Sequence, residues 1–319
     1  MKKIICLLLF PAILATGLAQ NINIRFKTFG TRIPPRHNLE IRWEAPTNAL
    51  PTNIWMYRLL PRKLSPATIA YLRDACSFTD KDKTDHDDLL IFKSQDDRRR
   101  LQICFSLGTI SYETRLQRSP TNLVQAVPNE QQAIKLLGKF LSAVDIPLAD
   151  IKKATNNVPD FPVFETGVNY FDEKTKTSIT NIESRGVRFG RTVDGINFLS
   201  ANTGGDGEVQ FGEHGRIARI DLSWRNLERS KLCPVISPEK MMQYIRQGKA
   251  VYGGVRMDGP GIPNWREVKR VTIKEVKPCY DAGSPLASSD WLYPFAALWT
   301  TVESQYDSVD VEIDCPLID

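Results

Sequence analysis

The chain has 319 residues, of which 42% are hydrophobic and 25% are charged, and its formal net charge is +5. This composition is that of a globular protein and excludes a disordered or fibrous chain. The charge is small and dispersed, which excludes an extended basic surface for nucleic acid, so no nucleic-acid partner is expected.

Residues 1–19 have the organisation of a secretory signal peptide. Met1-Lys2-Lys3 is basic, residues 4–14 are apolar, and the small residues Gly17 and Ala19 follow. The apolar run has 11 residues, whereas a membrane-spanning helix needs roughly 20. We therefore expect cleavage near Ala19 and a secreted or periplasmic protein without stable membrane insertion.

Three helix starts follow a polar, proline-rich segment, residues 20–53, that is expected to form an extended N-terminal arm. Two of them are Ser65-Pro66 and Ser237-Pro238, where serine can cap the first amide groups and proline suits the first helical position. The third lies near Asn129, where apolar residues repeat at spacings of three and four. These helices are expected to end near Cys76, at Pro147 and before Gly248.

Between the helices, apolar and polar residues alternate, which predicts β-strands. The predicted strands are residues 89–93, 101–107, 109–114, 163–170, 178–182, 187–191, 208–211, 216–222, 271–279, 292–301 and 309–315. Turn-forming residues separate them, and Gly204–Gly207 is interpreted as a hairpin turn. Because the connections are short, antiparallel pairing is favoured. The sequence therefore predicts an α+β fold of tandem units, each a helix followed by an antiparallel meander.

Several of these segments together resemble a known family of domains. They are Val187–Ile196, Glu208–Phe211, Gly215–Ile220, Trp224 with Leu227, Ile236–Glu239, Val271–Tyr280 and Trp291–Pro294. This pattern resembles PepSY-like domains, which occur in propeptides of secreted metallopeptidases, with related tandem folds in extracellular regulators of cell-wall sensor kinases. The resemblance covers about residues 129–315 and, more faintly, 54–115.

The resemblance implies a secreted, non-catalytic module that binds, inhibits or regulates an extracellular or envelope protein, such as a peptidase or a sensor. It implies an N-terminal α+β unit over residues 54–120 and a PepSY-like region over 121–319, with sub-units at about 129–230 and 231–315. It carries no catalytic residues over to this chain.

Five cysteines follow the signal peptide, and export makes disulfides chemically accessible to them. The preferred pairs are Cys76 with Cys104 and Cys279 with Cys315, with Cys233 left over. The alternative is that all five are small buried hydrophobic residues with free thiols. Spacing along the chain does not decide between these readings.

Motifs for metal, cofactor or nucleophilic chemistry are absent from the sequence. The three histidines, His37, His86 and His214, lie too far apart for a compact zinc motif, and no Gly-x-Ser-x-Gly elbow is present. No metal and no cofactor are therefore expected. A secreted hydrolase that uses paired carboxylates remains the alternative function, because the separation of two acids is a three-dimensional property.

Tryptophans support a further alternative, a carbohydrate-binding module with exposed aromatic side chains. Trp265 follows a loop rich in glycine and proline, which predicts an exposed, partner-binding side chain. The strand 291–299 places Trp291, Tyr293, Phe295 and Trp299 on one face; core packing is the simpler interpretation of that stripe.

Overall fold

The computed structural model describes residues 31–114, 126–154, 156–172, 175–198, 205–255, 264–281, 290–305 and 307–319. The predicted signal peptide lies outside these residues. Three α-helices are present in the described ranges: α1, Pro66–Ala75; α2, Glu130–Ala143; and α3, Pro238–Arg246. No helix in those ranges has the length and apolar character needed to cross a membrane.

Strands account for most of the regular structure. Their bounds are β1 Thr31–Arg32, β2 Glu40–Trp43, β3 Asn53–Leu60, β4 Lys83–His86, β5 Leu89–Lys93, β6 Arg99–Cys104, β7 Thr109–Thr114, β8 Val163–Asp172, β9 Thr177–Gly190, β10 Thr192–Val193, β11 Ile196–Phe198, β12 Gly205–Phe211, β13 Ile217–Trp224, β14 Asn226–Pro234, β15 Val251–Val255, β16 Arg270–Asp281, β17 Trp291–Glu303 and β18 Ser308–Pro316.

All three helices begin where the sequence predicts, and side-chain caps explain why. The hydroxyl of Ser65 accepts a hydrogen bond from the amide of Thr68 at 3.0 Å, and Ser237 caps α3 in the same way. At α2, Asn129 and Gln132 exchange side-chain-to-amide hydrogen bonds of 2.9 Å, which is a capping box. These caps satisfy amide groups that the first turn leaves without partners.

One sheet has eight strands in the order β4-β5-β6-β7-β13-β12-β9-β8, and every neighbouring pair in it is antiparallel. Helices α1 and α2 cover one face, where Leu72 and Leu137 join a buried cluster that contains Leu101, Tyr112 and Val209. The opposite face is mostly polar, with the partly buried Leu89, Ile91 and Phe164 among its side chains. This division follows from the two-residue alternation of side chains along each strand.

The other sheet has ten strands, and its spine is β15-β18-β17-β16. Strand β16 carries two parallel neighbours on the same edge, β2 and β11, and β3 pairs with both β14 and β17. Helix α3 packs on β18, and Met241 and Ile245 enter the larger buried cluster of the molecule.

The predicted arrangement of tandem helix-plus-meander units is wrong. The fold is mainly β, and its strands merge into two large sheets. Strand β7 pairs with β13 over five residue pairs, so the first two predicted meanders share one sheet. The third predicted meander is extended by strands from the N-terminal segment and by the strands at and near β11 and β14. Pairing between distant strands buries edges that separate units would expose.

Buried arginines lie where the two sheets meet. Arg62, Arg191 and Arg225 are each less than 10% exposed. The guanidinium of Arg62 donates to the carbonyl oxygen of Val144 at the end of α2, where the helix dipole favours a positive charge.

Candidate functional site

Trp265, the predicted partner-binding residue, is buried and only 6% exposed. Its ring packs edge-on against Tyr252 with 6.4 Å between centroids. Arg36 donates hydrogen bonds to the carbonyl oxygens of Trp265, at 2.8 Å, and Val268. The prediction of an exposed Trp265 is therefore wrong, because a residue more than 200 positions away in sequence holds this segment against the core.

The aromatic stripe of β17 is fully or partly buried. Phe295 is completely buried, and Trp291, Tyr293 and Trp299 are partly buried. This agrees with the core interpretation of the stripe. With Trp265 also buried, the two features that favoured a carbohydrate-binding module no longer support it.

The five cysteines of the described ranges are free in this structure, so neither predicted disulfide is formed. Cys104 lies on the polar face of its sheet, whereas Cys76 is buried under α1 on the opposite side. Cys279 and Cys315 lie on strands separated by β17. Cys279 pairs with Phe295 and Cys315 with Ala296, so they also project to opposite faces. A disulfide needs Cα atoms within about 7 Å and facing Cβ atoms.

Metal ligands do not converge within the described ranges, where no group of three histidine, cysteine, aspartate or glutamate side chains could hold an ion. His214 is exposed in a short turn with φ of 55°. The aspartates near His86 serve local structure. Asp82 caps the turn at Thr79, and Asp80 pairs with Arg73 at 2.7 Å.

A cleft of about 670 Å³ opens at the β9–β12–β13 end of the eight-stranded sheet, and we call it the β12 cleft. Its volume falls within the roughly 300–1,000 Å³ that ligand sites commonly occupy. Its walls come from three strands, from the segment before β8 and from the end of β11. The lining residues are Lys152, Asp160, Pro162, Arg188, Phe189, Gly190, Phe198, Gly205, Asp206, Gly207, Glu208, Asp221 and Ser223.

Glycines shape the floor of the β12 cleft. A Cβ atom at Gly205 would lie 2.3 Å from the ring of Phe198, and one at Gly207 would lie 2.3 Å from the ring of Phe189. Both rings therefore rest directly on the backbone of β12. The sequence interpretation of Gly204–Gly207 as a hairpin turn is wrong for residues 205–207, which are the start of this strand.

The segment before β8 is fixed to the sheet by main-chain hydrogen bonds. The amide of Lys152 donates to the carbonyl oxygen of Gly190, and the amide of Asp160 donates to that of Lys152, both at 2.8 Å. The ammonium of Lys152 then lies 3.8 Å from the carboxylate of Asp160. One wall of the cleft is thereby held in a defined position.

Charged side chains of both signs line the β12 cleft. Arg188 donates to Glu208 at 2.9 Å and also lies over the ring of Phe164, 4.4 Å from its centroid. Gln210 donates to the second oxygen of Glu208 at 2.7 Å, which orients that carboxylate. Of the six charged lining residues, four are acidic and two are basic, so the cleft has a formal charge of −2.

Sequence reasoning missed this cleft, although two of its features are visible in the sequence. The alternation of glycine with Asp206 and Glu208 continues the period of the strand and marks one face that carries no side chains of its own. The contribution of Lys152 and Asp160 is not visible, because it depends on a contact with β9.

Comparisons with known proteins give the chain no family. No family model matches it, and no curated protein matches it. Among solved structures, the chain is similar to the crystal structure of an uncharacterized protein from Eubacterium rectale. The two share 9% sequence identity, the match covers 87% of this chain and 86% of that one, and the TM-score is 0.47.

Proposed function

We propose that this protein is a secreted, PepSY-like binding module that holds an extended segment of an extracellular or envelope protein in the β12 cleft. The observation that carries the proposal is the cleft itself, with the rings of Phe189 and Phe198 against the backbone of β12 and with charged walls. Sites for small molecules are lined mainly by apolar and aromatic side chains. Six charged residues among the lining residues fit a polar, extended polypeptide better.

Electrostatics indicates what kind of segment the β12 cleft accepts. The excess of acidic residues favours a segment that carries lysine or arginine. Asp221 lies 3.4 Å from Arg219, and both side chains are about half exposed, so this pair is weak enough to exchange for a partner's cation.

Binding is a better proposal than hydrolysis because of where the perturbed acids lie. Burial raises the pKa of Asp314 to about 8, and that of Glu312 is also raised by burial. Neither lines the β12 cleft, and Asp314 is only 1% exposed. A general acid must come within hydrogen-bond distance of the bond that it cleaves.

Site-specific photo-crosslinking tests the proposal. A benzoylphenylalanine at Lys152, on the wall of the β12 cleft, is compared with one at Lys139, an exposed lysine of α2. After incubation with the extracellular fraction of the source organism, we expect one protein to be attached at position 152 and not at 139. Mass spectrometry of the adduct should map a lysine- or arginine-containing segment.

Affinity then separates a specific site from chance contact. The purified partner is titrated into the wild type and into the Glu208→Gln, Asp221→Asn double variant, and we expect at least about a tenfold loss of affinity because two charges leave the cleft. Equal adducts at both positions, no adduct at 152, or unchanged affinity in the double variant would each refute the proposal.

A further inference from the structure

Asp314 lies buried on the face of the ten-stranded sheet that is opposite α3, and two other acidic side chains share that face. Asp314 and Glu312 are on β18, and Asp281 is on β16; the charges of Glu312 and Asp281 both act on Asp314. Asp314 is 1% exposed, and both of its carboxylate oxygens lack a hydrogen-bond partner in the part of the chain that the structure describes. A buried, unpaired carboxylate is costly in its ionised form.

The surroundings of Asp314 are apolar apart from the other acids. Val251 and Ala297 flank it as its direct partners on the neighbouring strands, and both are nearly buried. Cys279 and Phe295 form a small buried cluster with Ala297 on this face. This environment resists the introduction of a charge.

The cationic side chains that the structure describes on this face do not neutralise Asp314. Lys277 lies two strands away in the same row, and its ammonium is 2.7 Å from Glu275. Arg32 on β1 lies two strands away on the other side, beyond Val251, and is exposed. Among the described residues, burial and the charges of Glu312 and Asp281 act on the pKa of Asp314, and all three raise it.

Strand β15 lies directly against these carboxylates. It pairs with β18 from Val251 opposite Asp314 to Val255 opposite Val311, and the register shifts at Gly253. A Cβ atom at Gly253 would be 2.7 Å from an oxygen of Asp314 and 3.1 Å from an oxygen of Glu312. The bulge therefore places bare backbone against both acids, and because Asp314 is 1% exposed, hydration of its carboxylate requires this strand to move.

We propose that Asp314, with Glu312 on the same face of β18, is a proton-binding site that controls how tightly β15 is held on β18. The proton is the ligand that can reach so deeply buried a group. While Asp314 is protonated, β15 closes over a neutral side chain. When the proton is lost, hydration would stabilise the carboxylate, and water reaches it only when β15 moves away. This inference is independent of the proposed function of the β12 cleft.

Burial raises the pKa of Asp314 to about 8, with further contributions from the charges of Glu312 and Asp281. In the opened state, the hydrated carboxylate returns toward its ordinary pKa of about 4. Between these values the closed state binds one more proton than the opened state. The equilibrium constant for opening therefore rises by up to about tenfold per pH unit and levels off above the higher pKa.

Amide hydrogen exchange of the intact chain measures this opening. The amides of β15 are followed from about pH 5 to about pH 9, after correction for the intrinsic exchange rate, in the wild type, in Asp314→Asn and in Asp310→Asn. Asp310 is an exposed acid of the same strand and serves as the matched control. We expect opening to increase with pH in the wild type and in Asp310→Asn, and to depend much less on pH in Asp314→Asn, where the raised pKa of Glu312 remains.

Carbon-13 titration of the wild-type carboxyl groups gives a second readout, which does not depend on the folding of a variant. The Asp314 signal should titrate well above the ordinary aspartate range, and Glu312→Gln should move its midpoint down because a neighbouring negative charge is removed. An Asp314 signal that titrates near the ordinary value, a wild type with pH-independent exchange, or a pH slope in Asp314→Asn equal to that of the wild type would overturn the inference.

Discussion

The guanidinium of Arg191 donates a hydrogen bond of 2.6 Å to the main-chain carbonyl oxygen of Arg225. The guanidinium of Arg225 in turn donates to the carbonyl oxygen of Leu59 at 3.0 Å. Arg191 follows β9 of the eight-stranded sheet, and Leu59 belongs to β3 of the ten-stranded sheet. Two consecutive arginine contacts therefore connect the sheets.

Replacing Arg191 by methionine should destabilise the whole molecule. Its guanidinium also lies 4.8 Å from the ring centroid of Trp224, and burial lowers its pKa only to about 10, so it remains charged at neutral pH. Loss of a buried charged donor should lower the free energy of unfolding by about 1–3 kcal/mol in urea denaturation. Arg219→Met, at an exposed position, should change it by less than about 0.5 kcal/mol. Equal effects of the two variants would contradict a role in joining the sheets.

The free energy of unfolding should depend on pH because Asp314 binds its proton more tightly in the folded state. Its pKa in the folded state is raised by burial to about 8, from 3.8, so between these values the folded state binds the extra proton. The stability that Asp314 contributes to the folded state is therefore fully present below the lower pKa value. It falls as pH rises, by up to about 1.4 kcal/mol per pH unit. Between about pH 5 and 8, the free energy of unfolding measured by chemical denaturation should change less with pH in Asp314→Asn than in the wild type. An identical slope in both proteins would argue against a raised pKa.

A side chain at position 207 should destabilise the protein as long as Phe189 occupies its present position. A Cβ atom there would lie 2.3 Å from the ring of Phe189, so Gly207→Ala should lower the free energy of unfolding by about 1–3 kcal/mol. The smaller side chain in Gly207→Ala, Phe189→Leu should recover part of this loss. The matched control is Gly138→Ala on α2, where nothing lies within 4 Å; better helix propensity should stabilise it by about 0.5–1 kcal/mol. Destabilisation by both alanines would show that local space is not the cause.

Thiol labelling should distinguish Cys104 from the other cysteines of the described ranges. Burial raises the pKa of Cys76 and that of Cys279 to about 12 each, and Cys315 is completely buried with a raised pKa. Cys104 is only partly buried and donates a hydrogen bond to Asp88 at 3.3 Å. Because the thiolate is the reactive form, a maleimide should modify Cys104 first under native conditions. Peptide mapping without reduction checks this, and a recovered Cys76–Cys104 peptide would contradict it.

Local structure was predictable from the sequence because local physical chemistry determines it. The caps at Ser65, Asn129 and Ser237 mark the three helix starts, and the alternation over residues 109–114 matches β7 residue for residue. Both depend on interactions within a few positions of the chain.

Long-range pairing was not predictable by the same reasoning. The pairing of β7 with β13 joins residues about 110 positions apart, and the parallel contacts of β2 and β11 with β16 leave no mark in the spacing of residues. Because these pairings were not predicted, the fold class predicted from the sequence was wrong. The buried position of Trp265 has a similar origin, since it depends on Arg36. The β12 cleft was missed because two of its walls are brought together by tertiary contacts.

The pairing of β7 with β13 has a consequence for dividing the chain into parts. A cut between β7 and α2 would put β3 and β7 in one fragment and their partners β13, β14 and β17 in the other. Neither fragment alone could complete either sheet, and each would expose strand edges prone to aggregation. Co-expressed, the two polypeptides should instead reconstitute the molecule, which makes this position a natural site for a split-protein complementation pair.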